Sequence, residues 1–231
     1  SKIEKYLVPI AGKLAAQRHL TSIKDGFIAM LPLTMAGSFA VLFIVLLNDV
    51  PTAFNGGEVS SFSEFMMPVT NVLKSISGAT LSLMALIFAF SFSYSLASNS
   101  KVDPLPAGII GIAIFMVTVP SVIMDDTAAL MVDGESVSGI SYAYLGSAGL
   151  FTSIISILLF TEVYIRITKR GITIKMPDTV PPAVAKAFAA IIPGIIAIFL
   201  AGFTTAIVEV VVQMPVNDWI SLVIQQPLMQ L

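Results

Sequence analysis

Glu162 and Arg166 stand four residues apart within a long apolar stretch, a spacing that puts both on one face of a helix. A carboxylate at membrane depth is costly, so the two form an ion pair that snorkels to an interface, or Glu162 is a station in a proton relay. Glu209, in the last turn of a later apolar stretch, poses the same choice between snorkelling and proton transfer. Spacing brings no second acid to either, so a paired-carboxylate acid–base site is not encoded. The sole histidine, His19, follows Arg18 in a basic stretch and reads as interfacial; alone it cannot build a histidine metal cage. Cysteine is absent, which removes thiolate nucleophiles, thiol metal ligands and disulfides. No serine lies in a nucleophile elbow, and no glycine-rich phosphate loop occurs. The acidic run Asp125, Asp126, Asp133 and Glu135 lacks the ligand spacing of a calcium loop. The residues therefore assign no catalytic group, no metal and no cofactor.

The elements around these residues are set by hydropathy. Of the 231 residues 56% are hydrophobic and 11% charged, against roughly 25% charged in soluble domains. Apolar stretches at Phe27–Leu47, Ile76–Leu96, Pro106–Met124, Gly146–Ile167 and Ala187–Val212 are each close to the ~20 residues that cross a bilayer as helix. The predicted fold is an all-α integral membrane bundle of about five transmembrane helices. Eleven of the twelve basic residues fall before the first span, between the second and third, or between the fourth and fifth. The remaining loops carry the acids Asp49, Glu58, Glu64, Asp125, Asp126, Asp133 and Glu135, with only Lys74 among them. The positive-inside rule places the basic set, and the N-terminus with it, in the cytoplasm. A net charge of −2 without a basic groove gives no sign of nucleic-acid binding.

Residues 1–25 read as an interfacial amphipathic helix: Ile3, Tyr6, Leu7, Ile10 and Leu14 recur at helical spacing, and Lys2, Lys5 and Lys13 lie off that stripe. Residues 26–212 form the membrane domain, and residues 213–231, with Trp219, read as an interfacial connection. Pro32 is expected to kink the first span. Ser91, Ser95 and Ser98, and the set Ala190, Gly194, Ala197 and Ala201, form small-residue stripes. They read as close helix contacts, within the subunit or across a dimer, rather than as a ligand path. In the connection from Lys175 to Lys186, Asp178 or Thr179 is expected to cap a helix that opens through Pro181 and Pro182.

The run Pro177-Asp178-x-Val180-Pro181-Pro182-x-Val184-x-Lys186-x-Phe188-x-Ala190-x-Ile192-Pro193-Gly194 resembles a signature of the membrane (IIC) components of the bacterial phosphotransferase system, in the lactose/cellobiose/diacetylchitobiose family. Ile23-Lys24-Asp25-Gly26-Phe27 with Met30–Gly37, and Lys101–Gly108, agree with it in order. The resemblance implies a homodimeric permease of the bacterial inner membrane. It would import a β-linked disaccharide, which a cytoplasmic IIB partner phosphorylates. It also implies a sugar site built on Gly-Ile-His-Gly and Asn-Glu-Pro motifs, neither of which occurs here. The chain is therefore expected to be the N-terminal, dimer-forming half, inactive alone, with its substrate-binding residues unassigned. Lys101, Asp103, Lys175, Asp178 and Lys186 are the expected docking residues for the IIB partner. The residues taken without the resemblance leave one other reading, a small channel or proton-coupled carrier using Glu162 or Glu209.

Overall fold

The computed structural model describes residues 17–120, 130–132, 135–137, 140, 142–177 and 179–229. Of the amphipathic segment 1–25, residues 1–16 lie outside this set, as do Asp125, Asp126, Asp133 and Asp178. The described chain is helical except for one short antiparallel strand pair, β1 (Leu130–Val132) with β2 (Glu135–Val137), in which Met131 faces Ser136. An all-α membrane bundle is what the hydropathy pattern called for. Four helical stretches are long and apolar enough to cross a membrane: Leu31–Phe54, Ser61–Ser98, Ser147–Lys169 and Pro182–Val212. A fifth apolar helix, Pro104–Thr118, is shorter.

Helix α1 (Arg18–Ala29) ends at Met30, and α2 (Leu31–Ile44) begins with Pro32 in its first turn. Proline has no N–H to continue the preceding ladder, so the break falls where the ring sits. A π-helical turn, Val45–Asp49, leads into α3 (Val50–Phe54). The chain then reverses into α4 (Ser61–Thr80). Ser60 caps this helix, its hydroxyl accepting the Ser63 N–H at 3.1 Å, and Glu64 complements the positive end of the helix dipole. A helix therefore fills most of the stretch between Leu47 and Ile76, where the hydropathy pattern predicts a loop carrying Glu58 and Glu64. A 3₁₀ turn, Leu81–Leu83, joins α4 to α5 (Met84–Ser98), giving a 38-residue rod. It runs antiparallel to α1–α3: Gly26 lies against Phe88 and Phe92, Gly37 against Thr80 and Leu81, and Ser63 donates to the Asn48 carbonyl.

Helix α6 (Pro104–Thr118) packs along α5, and α10 (Pro182–Val212) packs along α6. Between them come the short α7 (Tyr142–Leu145), α8 (Leu150–Ser156), a second π-helical turn (Ile157–Thr161) and α9 (Glu162–Lys169). At the far end α11 (Val216–Ile220) leads through a third π-helical turn to α12 (Gln226–Met229). Helix α5 is the hub, contributing Phe88, Ala89, Phe92 and Leu96 to the core at 0% exposure. Where lipid rather than water surrounds a bundle, close packing and interhelical hydrogen bonds replace the hydrophobic drive between helices. Glycines permit that packing. A methyl on Gly111 would lie 2.5 Å from the Ser93 Cβ and 2.9 Å from the Ala89 carbonyl oxygen. One on Gly149 would overlap the Tyr144 carbonyl. Hydroxyls then bridge the close helices. Ser91 donates to the Gly26 carbonyl at 3.1 Å, Ser93 to Ala107 at 2.7 Å, and Ser153 to Ala85 at 3.2 Å.

The small-residue stripes are used unevenly. Ser91 is buried as expected, but Ser98 is exposed, and the second inward hydroxyl is Ser93 rather than Ser95. On α10, Gly194, Ala197 and Ala201 are buried inside the subunit, with Gly194 against Ile110. The outward surface carries large apolar groups instead, including Phe39 and Phe43 on α2 and Phe199, Phe203 and Val211 on α10.

Replacing Gly111 with alanine should push α5 and α6 apart and destabilise the bundle by about 1–3 kcal/mol. Gly78→Ala, at a helical site with nothing within 4 Å of the added carbon, should leave stability unchanged or raise it by about 0.5–1 kcal/mol. Thermal unfolding of the two variants in detergent measures the difference, and equal midpoints would contradict the close approach.

Candidate functional site: the basic end of the bundle

The ends of α1, α5, α6, α9 and α10 that carry the basic residues lie together at one end of the bundle. The turn between α5 and α6 holds Lys101 at φ 59°, a left-handed conformation that a lysine adopts only in a tight turn. Asp103 follows as the N-cap of α6, its Oδ1 accepting the Leu105 N–H at 3.3 Å. Its other oxygen, Oδ2, meets Lys186 Nζ at 3.0 Å, so the turn is tied to the first turns of α10. Of the expected docking residues, the structure thus brings Asp103 and Lys186 into contact, with Lys101 two residues away. Lys175 is exposed on the connection between α9 and α10. Asp178 lies outside the described residues. The cap of α10 differs from the expectation: Pro181 is at the N-cap and Pro182 opens the helix, with no side-chain cap. Fixed φ angles pre-set this start without a capping hydroxyl. Beneath the Asp103–Lys186 pair, α6 and α10 enclose an apolar groove of about 740 Å³, walled by Leu105, Ile109, Ile110, Ala190 and Ile198.

On the other flank, Glu162 is held by two guanidinium groups. Arg166 Nε reaches its Oε1 at 3.2 Å, the expected i,i+4 pair. Its Oε2 accepts from Arg18 Nη2, and Arg18 Nη1 donates to Ser100 Oγ at 3.1 Å. The Glu162 side chain is 14% exposed, Arg18 30% and Arg166 70%, so the cluster grades from the helix interior outward. Sequence spacing shows only the Arg166 contact, because Arg18 is 144 positions away. His19 is half-buried, its Nε2 3.5 Å from Arg18 Nη2. The same end of α1 is fastened to α5 by Asn99, which donates to Ser22 Oγ at 3.0 Å and Asp25 Oδ2 at 3.3 Å. A second groove of about 620 Å³ opens beside this cluster, between α1 and α9.

Glu209 sits at the opposite end. Its carboxylate accepts the Val216 N–H at 3.3 Å, at the start of α11, so it serves as a helix-end acceptor. Nearby, Tyr144 donates to Asp218 Oδ2 at 3.4 Å. Burial, and then the negative Asp218 beside it, push the Tyr144 phenol above its ordinary pKa and keep it a donor. Both acids of the proton-carrier reading therefore have structural partners, at opposite ends of the bundle.

These features define a polytopic α-helical membrane domain whose elaborated surface is its basic end. Residues 24–230 match the family described as Phosphotransferase system, EIIC, and the chain belongs to that family. It is 36% identical over 235 residues to the lichenan permease IIC component of Bacillus subtilis, covering 98% of this chain and 49% of that protein. It is 35% identical over 230 residues to the cellobiose-specific EIIC component of Geobacillus stearothermophilus, with 98% and 49% coverage. The fold superimposes with a TM-score of 0.80 and 32% identity on the crystal structure of the transporter ChbC, the IIC component of the N,N'-diacetylchitobiose-specific phosphotransferase system. That match covers 99% of this chain and 51% of ChbC. The chain spans about half the length of the curated relatives it matches.

Glu162→Gln should destabilise the protein by about 1–3 kcal/mol, since it leaves Arg18 and Arg166 without their shared anion. Lys186→Gln, which breaks a largely exposed pair, should cost at most about 1 kcal/mol. Comparing the two unfolding midpoints checks this. A larger loss for Lys186→Gln would remove Glu162 from the centre of the cluster.

Proposed function

We propose that this chain is the N-terminal, dimer-forming portion of a phosphotransferase-system sugar permease. In this reading the whole permease resides in a bacterial inner membrane and imports a β-linked disaccharide of the cellobiose or diacetylchitobiose type. A cytoplasmic IIB protein phosphorylates the sugar as it is delivered. The observation that carries the reading is the end-to-end match in fold and sequence to ChbC, with lichenan and cellobiose permeases as relatives. The basic end faces the cytoplasm, with the N-terminus on that side, supported by the distribution of lysine and arginine. Lys101, Asp103, Lys175, Asp178 and Lys186 form the surface that meets the IIB partner. The Asp103–Lys186 pair supports this by fixing two of the basic loops to each other.

The homodimer contact falls on the outward apolar faces of α2 and α4, where Phe39, Phe43, Phe62 and Phe65 are exposed. The small-residue stripe of α10 is buried within the subunit, which argues against a dimer through that stripe. The chain alone neither binds sugar nor transfers phosphate, because the histidine and glutamate motifs that the family resemblance ties to the sugar site are absent from its sequence.

Titration calorimetry of the purified chain with cellobiose and diacetylchitobiose should show no binding. A permease that contains this chain and the sugar-site motifs should yield sugar phosphate when supplied with phosphorylated IIB. Lys101→Glu with Lys186→Glu should raise the apparent KM for IIB by roughly thirtyfold, on the order of 1 kcal/mol for each of the two charges reversed. An unchanged KM would remove these residues from the docking surface. A cysteine placed at Lys175 should react with an impermeant maleimide only in opened cells; labelling of intact cells would reverse the orientation.

A further inference from the structure

The groove between α1 and α9 has a polarity gradient and contains none of the residues proposed to meet the IIB partner. The groove carries Gln17, His19, Glu162 and Arg166 at the basic end, and its outward-open walls further along the helices are Leu20, Ile23, Leu158, Leu159 and Val163, with Thr204 of α10 beside them. On the α1 side the groove-lining residues change from Gln17 and His19 to Leu20 and Ile23, and on the opposite wall from Arg166 and Glu162 to Val163, Leu159 and Leu158, so both walls pass from polar to aliphatic away from the basic end. Glu162 is bound to two guanidinium groups, so the cluster retains one net positive charge. Arg166 gives its Nε to Glu162, and among the described residues its terminal nitrogens, on a side chain 70% exposed, take no other partner and can donate outward. A cationic fork above an aliphatic trough matches a single molecule with an anionic head and a hydrocarbon tail. A guanidinium also engages phosphate oxygens bidentately.

We infer that this groove is a binding site for an anionic phospholipid of the leaflet at the basic end, its phosphate on Arg166 and one acyl chain along Leu20, Ile23 and Leu159. The lipid would clamp α1 to α9 from outside, where Arg18 and Glu162 already clamp them from within.

The test is native mass spectrometry of the detergent-purified chain, titrated with dioleoyl phosphatidylglycerol or dioleoyl phosphatidylcholine. We expect about fivefold tighter retention of phosphatidylglycerol, the factor equivalent to ~1 kcal/mol for one basic residue facing an anionic lipid. Arg166→Gln should abolish the preference, Arg166→Lys should keep most of it, and Lys74→Gln on α4 should keep all of it. Leu159→Trp, at a position more than half exposed, should fill the trough and lower retention of both lipids without touching the charge. Equal retention of the two lipids would overturn the assignment. So would a preference that survives Arg166→Gln, or displacement of the lipid by millimolar inorganic phosphate.

Discussion

The structure depends on how closely other backbones can approach helix α5. Gly26 on α1, Gly111 on α6 and Gly149 before α8 each sit where a side chain would strike α5 or its neighbours. Once the backbones are that near, a serine hydroxyl on one helix can reach a main-chain carbonyl on the next. Ser91, Ser93 and Ser153 each do so. Ser93 also shares a hydrogen bond with Thr161 at 2.9 Å, bringing the π-helical turn into the same cluster. Each such bond adds only ~0.6 kcal/mol in a membrane, so their joint effect is to select one packing. Replacing the glycines would separate the helices and break these hydrogen bonds with them.

At the basic end the same hub is anchored electrostatically. Helix α1 is held by the Arg18–Glu162 pair and by Asn99, and α10 by Asp103 and Lys186. The stronger restraint lies inward: the Glu162 side chain is mostly buried, whereas Lys186 is mostly exposed. This grading leaves an inner ring that fixes helix positions and an outer ring of charge open to partners.

Much of this was legible in the sequence. The apolar stretches gave the spans, the i,i+4 spacing gave the Glu162–Arg166 contact, and the Gly194, Ala197, Ala201 stripe gave a close helix face. The helix α4 was not legible by hydropathy, because Glu64, Asn71, Lys74 and several hydroxyls dilute its apolar face. Its Ser60 cap, with Glu64 in the first turn, was the available signal. Arg18 could not be paired with Glu162 from spacing, since a contact across 144 positions depends on how α1 lies against α9. The period of the serine stripe on α5 also misled: neighbours on both sides use Ser91 and Ser93, two residues apart, rather than one face repeated every turn. Two of the stretches that carry the family resemblance, Lys101–Gly108 and 177–194, meet at the basic end through Asp103 and Lys186.

The π-helical turn at Ile157–Thr161 sets the phase of everything after it. Such a turn holds one residue more than an α-helical turn, so the segment beyond it is rotated by about 100° relative to an uninterrupted helix. Upstream, Ser153 keeps its bearing toward α5; downstream, Glu162 faces Arg18. Shortening the turn by one residue would swing Glu162 round the helix barrel while leaving the composition of the span almost intact. The bulge thus acts as a phase shifter between the hydroxyl-bonded half of the helix and its charged half.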